Sequence, residues 1–180
     1  MKESNTIKYT MCALFVAFIS VCSQISIFIG TIPISLSLLA VFMAGLILGY
    51  KYGTLSVIVY ILLGLTGIPV FAGAKGGIAV LMGPTGGFLI GYILCALIIG
   101  FVSEKMKSGK VYILVSIVTG LIICYILGAV WFSLITGNSF STTLKICIIP
   151  FIPGDIIKIV VSMFLYNKIK SRLNFIINPK

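Results

Sequence analysis

The stretch VYILVSIVTGLIICYILGAVWFSLI, residues 111–135, runs without one charged side chain for about seven helical turns. A hydrocarbon core about 30 Å thick needs around 20 apolar residues in a helix. This stretch is long enough to cross, and it sets the class of fold in which the rest of the chain must be read.

The composition agrees. Hydrophobic residues make up 60% of the 180 and charged residues only 9%, against roughly a quarter charged in a soluble domain. A soluble chain of this length could not cover so much apolar surface with polar groups, so the sequence describes an integral membrane protein. Working outward from 111–135, further apolar runs occupy about 8–29, 33–50, 53–67, 85–103 and 143–167. The expected fold is all-α and polytopic: six transmembrane helices in one bundle, a single domain over residues 1–180. Gly30-Thr31-Ile32-Pro33 and Tyr50-Lys51-Tyr52-Gly53 are expected as tight turns, and SEKMKSGK (103–110) and TGNSFST (136–142) as loops.

The net charge of +10 does not indicate nucleic acid, because the basic residues sit at the ends of apolar runs and are not interleaved with stacking aromatics. With the N-terminus inside, Lys2, Lys8, Lys51, Lys105, Lys107, Lys110, Lys168, Lys170, Arg172 and Lys180 all fall on the cytoplasmic side, ten of the 13 basic residues. That asymmetry predicts a multi-pass protein of the cell membrane with both termini cytoplasmic, which requires an even number of crossings.

Two breaks interrupt the helical pattern. GIPVFAGAKGGIAVLMGPTGG (67–87) is too rich in Gly and Pro for a regular helix, yet too apolar for a solvated linker. Irregular backbone at membrane depth must be buried by protein or line a cavity, so this segment is expected to fold over the outer face of the bundle as a cap. The second break is IIPFIPGD, where Pro150 and Pro153 lie three apart. Pro153 suits the first turn of a helix, so the last span is expected to be discontinuous, the kind of break that marks binding sites in transporters.

Directly after Pro153 come Asp155 and Lys158, one helical turn apart on one face. In lipid each would cost roughly 2.5–3.5 kcal/mol, so both should face the bundle interior. They form either an ion pair that braces the bundle or the acceptor and donor of a ligand site. Catalysis is poorly served. The chain has no His, Glu3 and Glu104 lie at the cytoplasmic ends, and no Ser stands at an obvious spacing from Lys158 for a dyad. No phosphate-binding loop is present. The five cysteines are scattered singly, which argues against a metal site. The expected protein is therefore a binding subunit and not an enzyme, without a cofactor, and any uphill transport must draw energy from a partner. Ala13 and Ala17 form an A-x-x-x-A pattern that lets helices approach closely.

Four segments together resemble the biotin-specific S components (BioY family) of energy-coupling factor transporters: IPISLSLLAVFMAGLILGYKYG (32–53), YILLGLTGIPVFAGAKGG (60–77), VLMGPTGGFLIGY (80–92) and FIPGDIIK (151–158). The resemblance implies a six-helix membrane protein that binds the vitamin near the outer face. Its implied partners are a transmembrane T component and two cytoplasmic ATPase subunits. It implies that Ala13 and Ala17 dock on the T component, and that Asp155 and Lys158 belong to the vitamin site. One departure is visible. Where the family often reads P-x-T-L-Q, this chain reads Pro33-Ile34-Ser35-Leu36-Ser37, so Ser37 replaces a larger amide.

Biotin suits these residues chemically. Its ureido ring offers N–H donors to Asp155 and a carbonyl to Lys158, in charge-assisted hydrogen bonds. Phe71, with Val70 and Trp131, is expected to wall the apolar side. The valerate carboxylate is expected at Lys75 or at the backbone N–H groups of Gly73, Gly76 and Gly77. The same architecture could instead hold thiamine or riboflavin, although an aromatic heterocycle favours a pocket richer in Trp. A non-catalytic membrane scaffold is the remaining alternative.

Overall fold

The computed structural model describes residues 2–28, 32–105 and 109–177. Gly30 and Thr31 of the first expected turn, and Lys107 and Lys180 among the cytoplasmic charges, lie outside the described residues. The fold is mostly helical, in the order α1 (Lys2–Gln24), β1 (Ser26–Phe28), β2 (Pro33–Ser35), α2 (Ser37–Leu65), α3 (Ile78–Met82), α4 (Gly86–Lys105), α5 (Lys110–Thr136), α6 (Phe140–Cys147) and α7 (Ile152–Ile177). Among the described residues, four helices are long and apolar enough to cross a membrane, five if the bent pair α6–α7 is one span.

Two expected boundaries move. The first helix was expected to run to 29, but α1 stops at Gln24 and the chain enters a small antiparallel sheet in which Ser26, Ile27 and Phe28 pair with Ser35, Ile34 and Pro33. Ile25 extends it, its carbonyl accepting from Leu36 N–H at 3.1 Å. Pro33 sits at the first position of its strand, where a missing N–H costs no ladder bond. The sheet satisfies backbone groups that a loop at this depth would leave exposed.

The expected turn at Tyr50–Gly53 falls one residue earlier. Gly49 has φ 74° and ψ −173° inside α2, while residues 50–53 are already helical. A side chain there would be strained, and a Cβ would collide with the Glu104 carboxylate. That carboxylate accepts from the freed Tyr50 N–H at 3.2 Å. Beyond the break the chain folds back on itself: a Cβ on Gly53 would stand 2.6 Å from the Ala44 carbonyl.

The segment between α2 and α4 is neither helix nor open loop. Phe71 and Lys75 close a tight hairpin through paired backbone bonds of 2.9 and 3.3 Å, with Gly73 and Ala74 at positive φ in its tip. The buried Phe71 ring packs edge-on against Tyr60, centroids 5.5 Å apart, and fills the space beside Gly64. The hairpin thus lies on α2. Gly91, Gly120 and Gly128 let α4 and α5 pack at close range, against Cys124, Cys95 and Phe88 respectively. The core around them comprises Ile19, Val41, Phe42, Val57, Ile99, Ile117 and Phe132.

The last apolar run is broken into two helices, α6 and α7, around Pro150 and Pro153. α6 begins at an N-cap Ser139 that accepts from Thr142 N–H at 3.4 Å. α6 and α7 then meet at 51° across a short break. Pro153 lies in the first turn of α7 and Asp155 follows it.

Candidate functional site

The break before α7 delivers two charges into the bundle. Asp155 is 1% exposed and Lys158 4%, and Lys158 Nζ stands 2.7 Å from Asp155 Oδ1. Tyr125, on α5, donates its hydroxyl to the other carboxylate oxygen, Oδ2. The carboxylate is therefore held on both sides, once from its own helix and once from across the bundle.

These three residues line a cavity of about 800 Å³, its open mouth included. Several elements contribute walls. β2 and the start of α2 bring Ser35 and Ser37, α4 brings Tyr92, and α1 and α2 bring Ser23 and Tyr60. Their hydroxyls bond one another. Ser37 lies 2.6 Å from Ser35 and 2.9 Å from Tyr92, and Tyr60 donates to Ser23 at 3.1 Å. Ser37, which stands where the resembling family carries an amide, is thus a wall residue whose hydroxyl faces Tyr92. Apolar walls come from Phe71 and from a stacked pair, Phe88 and Phe151, with centroids 6.3 Å apart.

Of the residues expected at the site, Phe71, Lys75, Asp155 and Lys158 all line this cavity. Gly73, Gly76 and Gly77 belong to the same hairpin and its exit but do not line the cavity. Gly76 packs against the carbonyls of Gly67 and Ile68, and Gly77 donates to Gly64 O at 2.7 Å. Val70 and Trp131, expected as walls, are not among the lining residues either. Trp131 instead donates to Gly83 O at 2.9 Å and seats the turn into α4 beside Gly86 and Gly87. Ala13 and Ala17 lie far from this chemistry, exposed on α1 while Cys12, Val16 and Ile19 of the same helix point inward.

Several residues escaped the sequence reading. Tyr92 and Tyr125 did carry a signal, because tyrosine favours membrane interfaces and both stand in mid-helix. Gln24, at the end of α1, was missed as well. Its amide donates to Pro69 O at 3.1 Å and Phe71 O at 3.2 Å, and accepts from Ala74 N–H at 3.0 Å. A single side chain thus ties the hairpin to α1.

Chemically, the cavity offers an acceptor and a donor side by side at one end, aromatic walls, and Lys75 at an exposed lip. Lys158 donates to Asp155.

The BioY family model matches residues 1–175. A probable biotin transporter BioY of Pyrococcus horikoshii is 40% identical over 161 residues, 89% of this chain and 94% of the relative. The biotin transporter BioY of Thermotoga maritima is 43% identical over 157 residues, covering 87% and 92%. A crystal structure of the S-component for biotin from an ECF-type ABC transporter superposes with a TM-score of 0.89 at 32% identity, covering 95% of this chain and 94% of that one.

Proposed function

Because the chain belongs to the BioY family, we propose that it is the membrane subunit that captures biotin for ATP-driven uptake, the S component of an energy-coupling factor transporter. The observation that carries this reading is the buried Asp155–Lys158 pair at the end of a ligand-sized cavity. Two charges taken out of water gain little as a mere brace. Lining a cavity, they match a cyclic urea, whose N–H and C=O lie side by side. Asp155 accepts from the N–H and Lys158 donates to the carbonyl. Phe71, with Tyr60, Phe88 and Phe151, encloses the apolar ring system. Lys75 and the hairpin backbone at Gly73, Gly76 and Gly77 receive the valerate carboxylate.

The reversal at Gly49 supports six crossings: α2 counts as two antiparallel spans and α6–α7 as one. An even number, together with the clustering of Lys and Arg, puts both termini in the cytoplasm. The exposed small-residue face of Ala13 and Ala17 is the docking surface for a transmembrane T component, which connects the chain to two cytoplasmic ATPases.

The test is calorimetric titration of the detergent-purified chain with biotin, beside an Asp155→Asn variant. Tight one-to-one binding by the parent, weakened by about 100-fold in the variant, is expected. A folded parent chain that ignores biotin refutes the proposal, and thiamine and riboflavin are then tried.

A further inference from the structure

Asp155 and Lys158 share one helix, so their mutual bond moves with α7 and cannot fix where the carboxylate stands relative to the other walls. That reference must come from another element. Among the described residues, the Asp155 side chain has two hydrogen-bond partners, Lys158 at Oδ1 and Tyr125 at Oδ2. Tyr125 belongs to α5 and itself lines the cavity. Each carboxylate oxygen can accept more than one hydrogen bond, so both retain a site for a ligand after these partners are in place.

We propose that Tyr125 is the positioning residue of the ligand site. Its hydroxyl aims the Asp155 carboxylate into the cavity and holds it as an acceptor for a ligand N–H. The choice of a phenol follows from the chemistry required. It donates one strong hydrogen bond to a carboxylate yet brings no charge, so it leaves the Asp155–Lys158 pair electrostatically balanced. A second cation there would compete with the ligand for the carboxylate, and a phenylalanine would leave Asp155 free to rotate towards Lys158. Tyr92, another tyrosine that lines this cavity, bonds Ser37. The inference rests on the biotin reading above, since it assigns to Asp155 the ureido N–H.

The experiment is a double-mutant cycle. Biotin is titrated into the parent, Tyr125→Phe, Asp155→Asn and the double variant, all of the full chain in detergent. The parent and Tyr125→Phe are also titrated with biotin methylated on the ureido nitrogens. Losing a hydrogen bond to a charged acceptor is expected to weaken biotin binding by about 10- to 100-fold in Tyr125→Phe. In the Asp155→Asn background the same change should alter affinity by less than about 3-fold, the size of ordinary non-additivity. The preference for biotin over its methylated form should narrow as well, which a general loss of stability would not cause. Equal effects in both backgrounds, or an undiminished preference, overturn the inference while leaving biotin as the ligand. A parent chain that does not bind biotin overturns the underlying reading and the inference with it.

Discussion

Replacing Lys158 by Met keeps the length and volume of the side chain but removes its charge, and it separates a brace from a ligand site. At 2.7 Å the pair attracts by about 6 kcal/mol at an effective dielectric constant near 20. The desolvation of two ions, several kcal/mol each, offsets this attraction. The pair thus contributes little net stability, whereas breaking it leaves Asp155 buried with only Tyr125. That single change should cost roughly 3–5 kcal/mol, a fall in midpoint of about 6–20 °C on the scale for chains of this size. Neutralising both partners, Lys158→Met with Asp155→Asn, should restore most of the midpoint. Biotin binding should not return, because neither charge-assisted bond to the ureido ring can form. The assays are thermal unfolding of the purified chain in detergent and calorimetric titration of the same samples. A neutral pair that unfolds near the parent temperature and still binds biotin at parent affinity would refute the reasoning, and Asp155–Lys158 would then be a brace alone.

Two other expectations are simpler to read. Lys75→Ala should weaken binding of biotin by about 10-fold while leaving its methyl ester, which lacks the carboxylate, unchanged in parallel titrations; equal loss for both ligands would place the carboxylate elsewhere. Gly49→Ala should destabilise by roughly 1–3 kcal/mol, because φ 74° with ψ −173° is a backbone region that essentially only glycine adopts. Unfolding of this variant near the parent midpoint would argue against the reversal at residue 49.

The long helices were legible because their signal is local and repeated. The runs expected at 85–103 and 111–135 appear as Gly86–Lys105 and Lys110–Thr136, within two residues at each end. The strands at 26–28 and 33–35 were not legible, since three residues are too few for an alternating pattern. The break at Gly49 illustrates a different limit. Tyr50-Lys51-Tyr52-Gly53 has the polar look of a turn, but the choice among nearby glycines depends on which one faces Glu104, a contact made across 54 residues of chain. At the site, Asp155 and Lys158 were conspicuous because charge in an apolar run is costly. Tyr125, Ser37 and Gln24 act through partners on other helices, and no spacing in the sequence announces such pairings. The backbone contacts of Gly76 and Gly77 within the hairpin were illegible for a related reason, since they too are made with residues distant in sequence.

The Gln24 amide divides the cavity between two owners. The polar end belongs to α5 and α7, through Tyr125, Asp155 and Lys158. The lip that carries Phe71 and Lys75 is fastened to the end of α1 by three hydrogen bonds from one side chain. Displacing α1 along its axis therefore pulls directly on the lip through Gln24, whereas the polar end is held by hydrogen bonds within and between α5 and α7, as a hand on the handle of a drawer acts first on its front. Whatever grips the exposed flank of α1 on the lipid side holds that handle.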